Sequence, residues 1–246
     1  MITSLLILAI SFTATLLSSM SGAGSALITV PVWLLLGYSL PAAQAASKVN
    51  GAVWTPIAAR NYLQSRDVDW RLLAGLAACG RVGAYLGSIF FVSVESQLLQ
   101  RIVGGVILCL VAFTFLHKEF GVQVQVPAAS RVLTSLLAIP LGFYEAFFGS
   151  GNGIFTSSLL ATTRGFDLVL ALGYYYCLSF VWCLFSAVLF LHWGFGDIGL
   201  ILPSTIGGLA GAYLGSLIGQ GKGARFIKYL FVSLGGLLGL KLLLKV

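Results

Sequence analysis

The sequence predicts an all-α polytopic membrane protein made of two repeats of five helical segments each. Three observations carry this. First, the 246 residues are 59% hydrophobic and only 9% charged, with a mean hydropathy of +1.00, whereas a soluble domain is about 25% charged. Second, apolar stretches of about 20 residues, the length of a helical span, recur along the whole chain. Third, the order of apolar runs and glycine breakers in the first half returns in the second.

Apolar runs and breakers set the segments. The first runs over Ile2–Met20 and stops at Ser21-Gly22-Ala23-Gly24-Ser25. A shorter one covers Ala26–Leu36 and ends at Gly37-Tyr38. The third starts near Pro41, a residue suited to a first helical turn, and reaches Tyr62. A polar loop, Gln64 to Asp69, leads to the fourth, Trp70–Val92, and the fifth, Leu98–Leu116. The second half predicts Val132–Phe148, Ile154–Thr163, Leu168–Trp193, Ile198–Ile218 and Phe226–Leu244. The first repeat is thus residues 1–117, a connecting loop 118–131 and the second repeat 132–246. The apolar N-terminus resembles a signal sequence, but its start lacks Lys and Arg and it has a counterpart in the second half, so it reads as structure.

Gly83-Ala84-Tyr85-Leu86-Gly87-Ser88 recurs unchanged as Gly211-Ala212-Tyr213-Leu214-Gly215-Ser216. Its glycines, one turn apart, suit close helix contact in lipid. The breaks align by sequence as Ser21-Gly22-Ala23-Gly24 with Ser150-Gly151-Asn152-Gly153. The first two segments of each half form either one broken span, giving parallel repeats, or a helix hairpin, giving inverted repeats. With hairpins, Arg60, Arg66, Arg71, Lys118, Arg131, Arg164, Lys222, Arg225 and Lys228 share one side against Arg101, Lys241 and Lys245. With broken spans the basic residues divide almost evenly. The positive-inside bias selects hairpins and inverted repeats, with both termini outside the cytoplasm. The second helix of each pair looks short for a bilayer core of about 30 Å, which favours re-entrant hairpins whose tips meet near the midplane.

Lys48, Arg81 and Glu145 fall deep within spans. A lone charge at the bilayer centre costs about 2.5–3.5 kcal/mol on insertion scales, so each needs a partner, water or a substrate. The two breaks add donors, since a helix that starts there offers free N–H groups and the positive end of its dipole. Discontinuous helices aimed at the midplane are a recurrent anion-site design in inverted-repeat transporters. The predicted anion-binding residues are therefore Ser21, Gly22, Gly24, Ser25, Lys48, Asn50, Arg81, Ser150, Gly151, Asn152 and Gly153, with Glu145 as the proton-coupling group. The structural alternatives are a buried Lys48–Glu145 ion pair, a snorkelling Arg81 and glycines used only for packing.

Other classes find no support. The net charge of +7 is spread singly over span ends and makes no nucleic-acid face. Cys79, Cys109, Cys177 and Cys183 lie in apolar spans and read as small hydrophobes. His117 and His192 have no second ligand at metal spacing, no Walker A pattern is present, and no Ser/His/Asp grouping is readable. No metal, cofactor or enzymatic activity is expected.

Gly142-Phe143-Tyr144-Glu145-Ala146-Phe147-Phe148-Gly149-Ser150-Gly151-Asn152-Gly153 resembles the Gly-Phe-Tyr-Asp-Gly-Phe-Phe-Gly-Pro-Gly-Thr-Gly pattern of the sulfite exporter TauE/SafE (TSUP) family of permeases. Ser21-Gly22-Ala23-Gly24 with Pro31, and Ala45-Ala46-Ser47-Lys48-Val49, are similar to its first glycine motif and its Thr-Asn-Lys segment. The resemblance implies a permease for sulfur-containing anions such as sulfite, thiosulfate or sulfonates in a bacterial-type cytoplasmic membrane. Glu145 stands where the family has Asp, and Cys177 aligns with Lys48 where many members have a basic residue. The expectation is a secondary transporter for small anions working by alternating access. The rival readings are a cation carrier or channel with Glu145 as ligand, and a non-transporting membrane scaffold.

Overall fold

Most helices begin where a side chain can take an orphan amide. In the computed structural model, Ser39 accepts from Ala42 N–H, Asp69 from Leu72, Ser130 from Leu133, Asp167 from Leu170 and Asp197 from Leu200. Such caps satisfy donors that the helix itself cannot. The structure describes residues 2–64, 66–93 and 128–244, with positions 105, 108–109, 111–113 and 115–116 between them. Most of the predicted fifth span, Leu98–Leu116, and most of the predicted loop 118–131 lie outside the described residues.

The described elements are helical: α1 (Ile2–Ser21), α2 (Ala26–Leu35), α3 (Leu40–Leu63), α4 (Trp70–Ser93), α5 (Arg131–Leu136), α6 (Ala138–Phe147), α7 (Asn152–Arg164), α8 (Leu168–His192) and α9 (Ile198–Leu244). The span predicted over Val132–Phe148 is broken into α5 and α6. Pro140 explains the break, because it has no N–H for the Leu136 carbonyl and its ring crowds that oxygen. The two segments predicted over 198–244 run on as α9, interrupted by non-helical backbone at Gly223.

Among the described residues, four stretches are long and apolar enough to cross a membrane: Ile2–Ser21, Trp70–Val92, Leu168–His192 and Ile198–Leu234. The outer surface is apolar to match, with Leu35 86%, Ile198 79% and Val188 59% exposed. With 10 and 13 residues, α2 and α7 are too short to cross a core of about 30 Å at about 1.5 Å per residue.

The contacts between helices respect an exchange of the two halves. The most extensive packing joins α1 to α9, α4 to α6, and α3 to α8. The duplicated hexapeptide makes the first two contacts. A Cβ at Gly83 or Gly87 would strike the carbonyl oxygens of Ile139 or Phe143 on α6, and one at Gly211 or Gly215 those of Phe12 or Leu16 on α1. Each half therefore packs its first helix against the other half's fourth, backbone to backbone.

Two ends of the bundle can be told apart. At one, Arg66 pairs with Asp167 at 3.0 Å, Arg131 with Asp69 at 2.6 Å, and Arg164 donates to Ala129 O at 2.8 Å. This end gathers the close of α3 and the starts of α4, α5 and α8. At the other, Ile7 of α1, Trp33 of α2, Ala43 of α3 and Leu200 of α9 share one core cluster. So α3 ends where α8 begins, and α4 and α9 start from opposite ends.

Candidate functional site

Gly22 and Gly149 have φ of 76° and 77°, and Gly24 and Gly151 have 82° and 80°. The left-handed glycines thus pair Gly22 with Gly149 and Gly24 with Gly151, two residues away from the alignment read in the sequence. The two breaks abut. Gly151 N–H donates to Ala23 O at 2.7 Å, and a Cβ at Gly24 would lie 2.9 Å from Ser150 Cα. Gly153 is pressed against Gly22 in the same way.

Four of the predicted residues, Gly24, Ser25, Lys48 and Glu145, line one cavity of about 20 Å³ beside the breaks. That is room for about one water molecule. Gly149, Trp54, Ser179 and Cys183 complete its chemistry. Ser21 turns inward on its own break, donating to Leu17 O and accepting from Ala23 N–H. Ser150 is buried and its carbonyl accepts from Tyr144 Oη. Asn50 is buried against Gly208 of α9, outside the cavity lining, with Oδ1 unpartnered. Arg81 is exposed on the outside of α4, with Val82 and Tyr85, and does not line the cavity.

α3 and α8 start at Leu40 and Leu168, and α4 and α9 at Trp70 and Ile198. The register that matches Gly83 with Gly211 therefore matches Lys48 with Tyr176, not with Cys177. The register of the left-handed glycines matches Glu145 with Ser18. These pairs do the same work. Lys48 Nζ donates to the backbone oxygen of Glu145, and Tyr176 Oη donates to that of Ser18 at 2.9 Å. Each adds a donor to a carbonyl in the last turn of the helix preceding a break, where a positive group is favoured, and Ser18 O also accepts from Gly22 N–H at 2.7 Å. Gln44 adds bonds to Ala146 O and Phe147 O at 3.3 and 3.0 Å, and Tyr62 adds one to Ser19 O at 2.9 Å. The device is common to both halves; the charge belongs to one.

Glu145 is 4% exposed. Its Oε2 accepts from Asn152 Nδ2 at 2.5 Å, and its Oε1 from Ser179 Oγ at 3.0 Å and Cys183 Sγ at 3.3 Å. Among the described residues, no carboxylate oxygen lies within 4.0 Å of the Lys48 ammonium, which is only 2% exposed. In place of the side-chain ion pair named as a structural alternative, Lys48 bonds the backbone of the same glutamate. Trp54, 4% exposed, has an indole N–H without a partner. Among the described residues, no acceptor takes the backbone N–H of Gly24 or Ser25. The cavity wall therefore combines a cation, unused N–H donors and one carboxylate whose oxygens are already occupied.

Trp54, Ser179 and Cys183 were not among the residues picked from sequence. Tyr175, Ser179 and Cys183 recur every four residues on α8, so one face carries all three. That spacing was the available signal. Among the described residues there is no cluster of three His, Cys, Asp or Glu suited to a metal ion.

A family model described as Sulfite exporter TauE/SafE matches residues 7–242. A probable membrane transporter protein of Haemophilus influenzae is 26% identical over 236 residues, covering 95% of this chain and 91% of the relative. The Sinorhizobium probable membrane transporter protein ORF9 is 27% identical, covering 95% and 89%. The probable membrane transporter protein YfcA of Escherichia coli is 26% identical, covering 95% and 87%. No solved structure matches the chain.

Proposed function

Because the chain belongs to the sulfite exporter TauE/SafE family, we propose that it is a secondary transporter for small anions, of the sulfur oxyanion or organosulfonate class. It works by alternating access in the cytoplasmic membrane, with both termini on the non-cytoplasmic side. The halves act as inverted repeats around paired re-entrant hairpins. This topology is supported by Arg66, Arg131 and Arg164 meeting at one end of the bundle, and by α3 and α8 running in opposite directions.

One observation carries the anion reading. The buried Lys48 ammonium faces a cavity between two helix breaks and, among the described residues, has no carboxylate oxygen within 4.0 Å. The Glu145 carboxylate that lines the same cavity makes no direct contact with the ammonium, and an incoming anion can do so. The unused N–H groups of Trp54, Gly24 and Ser25 can hold its oxygens. A cation carrier fits less well, since the Glu145 oxygens are occupied by three donors and the nearest cation is Lys48. The cavity has room for about one water, so the described conformation is closed to an oxyanion and the breaks must part for one to enter.

The test is uptake of sulfite, thiosulfate and methanesulfonate into proteoliposomes holding the purified protein, with and without a proton gradient. Saturable uptake of at least one anion above that of empty liposomes is expected. Absence of flux for all three under every gradient refutes the proposal.

A further inference from the structure

We propose that the Glu145 carboxylate is a tethered stand-in for the substrate: it occupies the anion's donors in the empty protein and yields them on taking up a proton. This rests on the anion-transport reading above. The carboxylate is itself a buried anion held by three donors from two elements, Asn152 of α7 and Ser179 and Cys183 of α8. Ser179 and Cys183 line the cavity beside Lys48. The remaining space is about 20 Å³, so the breaks must part for an oxyanion to enter, and at this place it meets donors that a group already present holds. The group in place is, like the proposed substrate, an anion that presents oxygen acceptors.

The fold does not need a carboxylate there. Ser18 holds the equivalent place in the first half, where Tyr176 caps its carbonyl as Lys48 caps that of Glu145. The same turn and cap therefore form without an acid. A second observation points to a ligand independently. The Trp54 indole N–H, buried in the cavity wall, is a donor that Glu145 does not use.

Two anions cannot share one small site with a single cation, because like charges at such separations drive one of them to bind a proton. The groups facing Glu145 are Lys48 from α3, Tyr144 on its own helix, Tyr175 and Cys183 from α8, Asn152 from α7, and Gly24 and Ser25 from the first break. α4 brings the backbone of Gly80, Gly83 and Gly87 against α6, with no titratable group at those contacts. The step is one proton from the aqueous phase to a Glu145 oxygen. The carboxylic acid gives up the Ser179, Cys183 and Asn152 donors, and the anion accepts from them and from Lys48. No electrons move, and one proton enters with each anion.

The experiment measures binding of thiosulfate and of methanesulfonate, both fully ionised through the neutral range, to wild-type protein and to Glu145→Gln as a function of pH. In the wild type, affinity falls as pH rises, approaching tenfold per pH unit, as linkage to one proton requires. In Glu145→Gln the dependence disappears and affinity stays at the acid limit of the wild type. Wild-type protein in weakly buffered solution takes up one proton per anion bound, a readout that does not depend on the variant folding. A Glu145→Gln protein that keeps the wild-type pH slope, or wild-type binding without proton uptake, overturns the stand-in role and leaves the anion site intact. Failure of the wild type to bind either anion at any pH overturns the anion reading itself, and this role with it.

Discussion

Replacing Lys48 with Met separates a substrate-binding cation from a helix cap. Met fills the same volume with an apolar chain, so the cavity term that an alanine would introduce is avoided. Among the described residues the ammonium makes one bond, to the backbone oxygen of Glu145, and has no carboxylate oxygen within 4.0 Å. Losing a hydrogen bond to a charged group costs about 1.5–3 kcal/mol. Relief of a buried charge returns a comparable amount, about 2.5–3.5 kcal/mol on insertion scales. The two largely offset, so by these figures Lys48→Met ranges from about 0.5 kcal/mol less stable to about 2 kcal/mol more stable than the wild type. Binding has no such compensation. Removing a charge-assisted bond to the anion costs about 1.5–3 kcal/mol, or roughly 10- to 150-fold in affinity. The assay is anion uptake in proteoliposomes beside thermal unfolding in detergent, with Arg66→Ala as control, since Arg66 pairs with Asp167 at the surface. Unchanged uptake in Lys48→Met refutes the reasoning. So does a stability loss of the same size as the binding loss, which would make Lys48 a cap and nothing more.

Gly83→Ala and Gly211→Ala place a methyl against the Ile139 and Phe12 carbonyls and should each lose about 1–3 kcal/mol by overpacking. Gly221→Ala, whose Cβ meets nothing within 4 Å, should gain about 0.5–1 kcal/mol from helix entropy; thermal unfolding reads all three. Trp54→Phe removes an N–H that the empty protein leaves unpartnered, so it should weaken anion binding with little change in stability; equal binding in variant and wild type would remove Trp54 from the site. Burial pushes the Asp69 carboxyl up, but the Leu72 amide and the Arg131 guanidinium outweigh it and hold it below the usual carboxylate range. A lowered carboxyl stabilises above its unfolded value and loses that stabilisation as pH falls through its folded value. Asp69→Asn should therefore flatten the acid limb of the melting-temperature profile and leave neutral uptake unchanged.

The helices were legible because apolar runs and capping residues agree. Asp167 before Leu168 and Asp197 before Ile198 mark their starts as a capping rule requires. The register of the breaks was not. Ser150-Gly151-Asn152-Gly153 copies the pattern of Ser21 to Gly24, yet the backbone turns at Gly149, a fact about φ that no spacing reveals. That slip of two residues also hid the match of Glu145 with Ser18. Arg81 was placed in the pocket from its depth in the span alone. The small residues Gly80, Gly83, Ala84 and Gly87 mark the buried face of α4, and Arg81 stands off that face. Lys48 and Glu145 were found because a charge in an apolar span is conspicuous. Ser179 and Cys183 were missed because in apolar helices such residues resemble packing.

The most direct test of the central claim is a structure of the protein with the transported anion bound, using whichever of sulfite, thiosulfate or methanesulfonate the uptake assay selects. The account predicts the anion between the Gly24–Ser25 and Gly149–Asn152 breaks, within hydrogen-bond distance of Lys48 Nζ, with the Glu145 side chain withdrawn from Ser179 and Cys183. An anion bound elsewhere, with Glu145 still held by those donors, would contradict it.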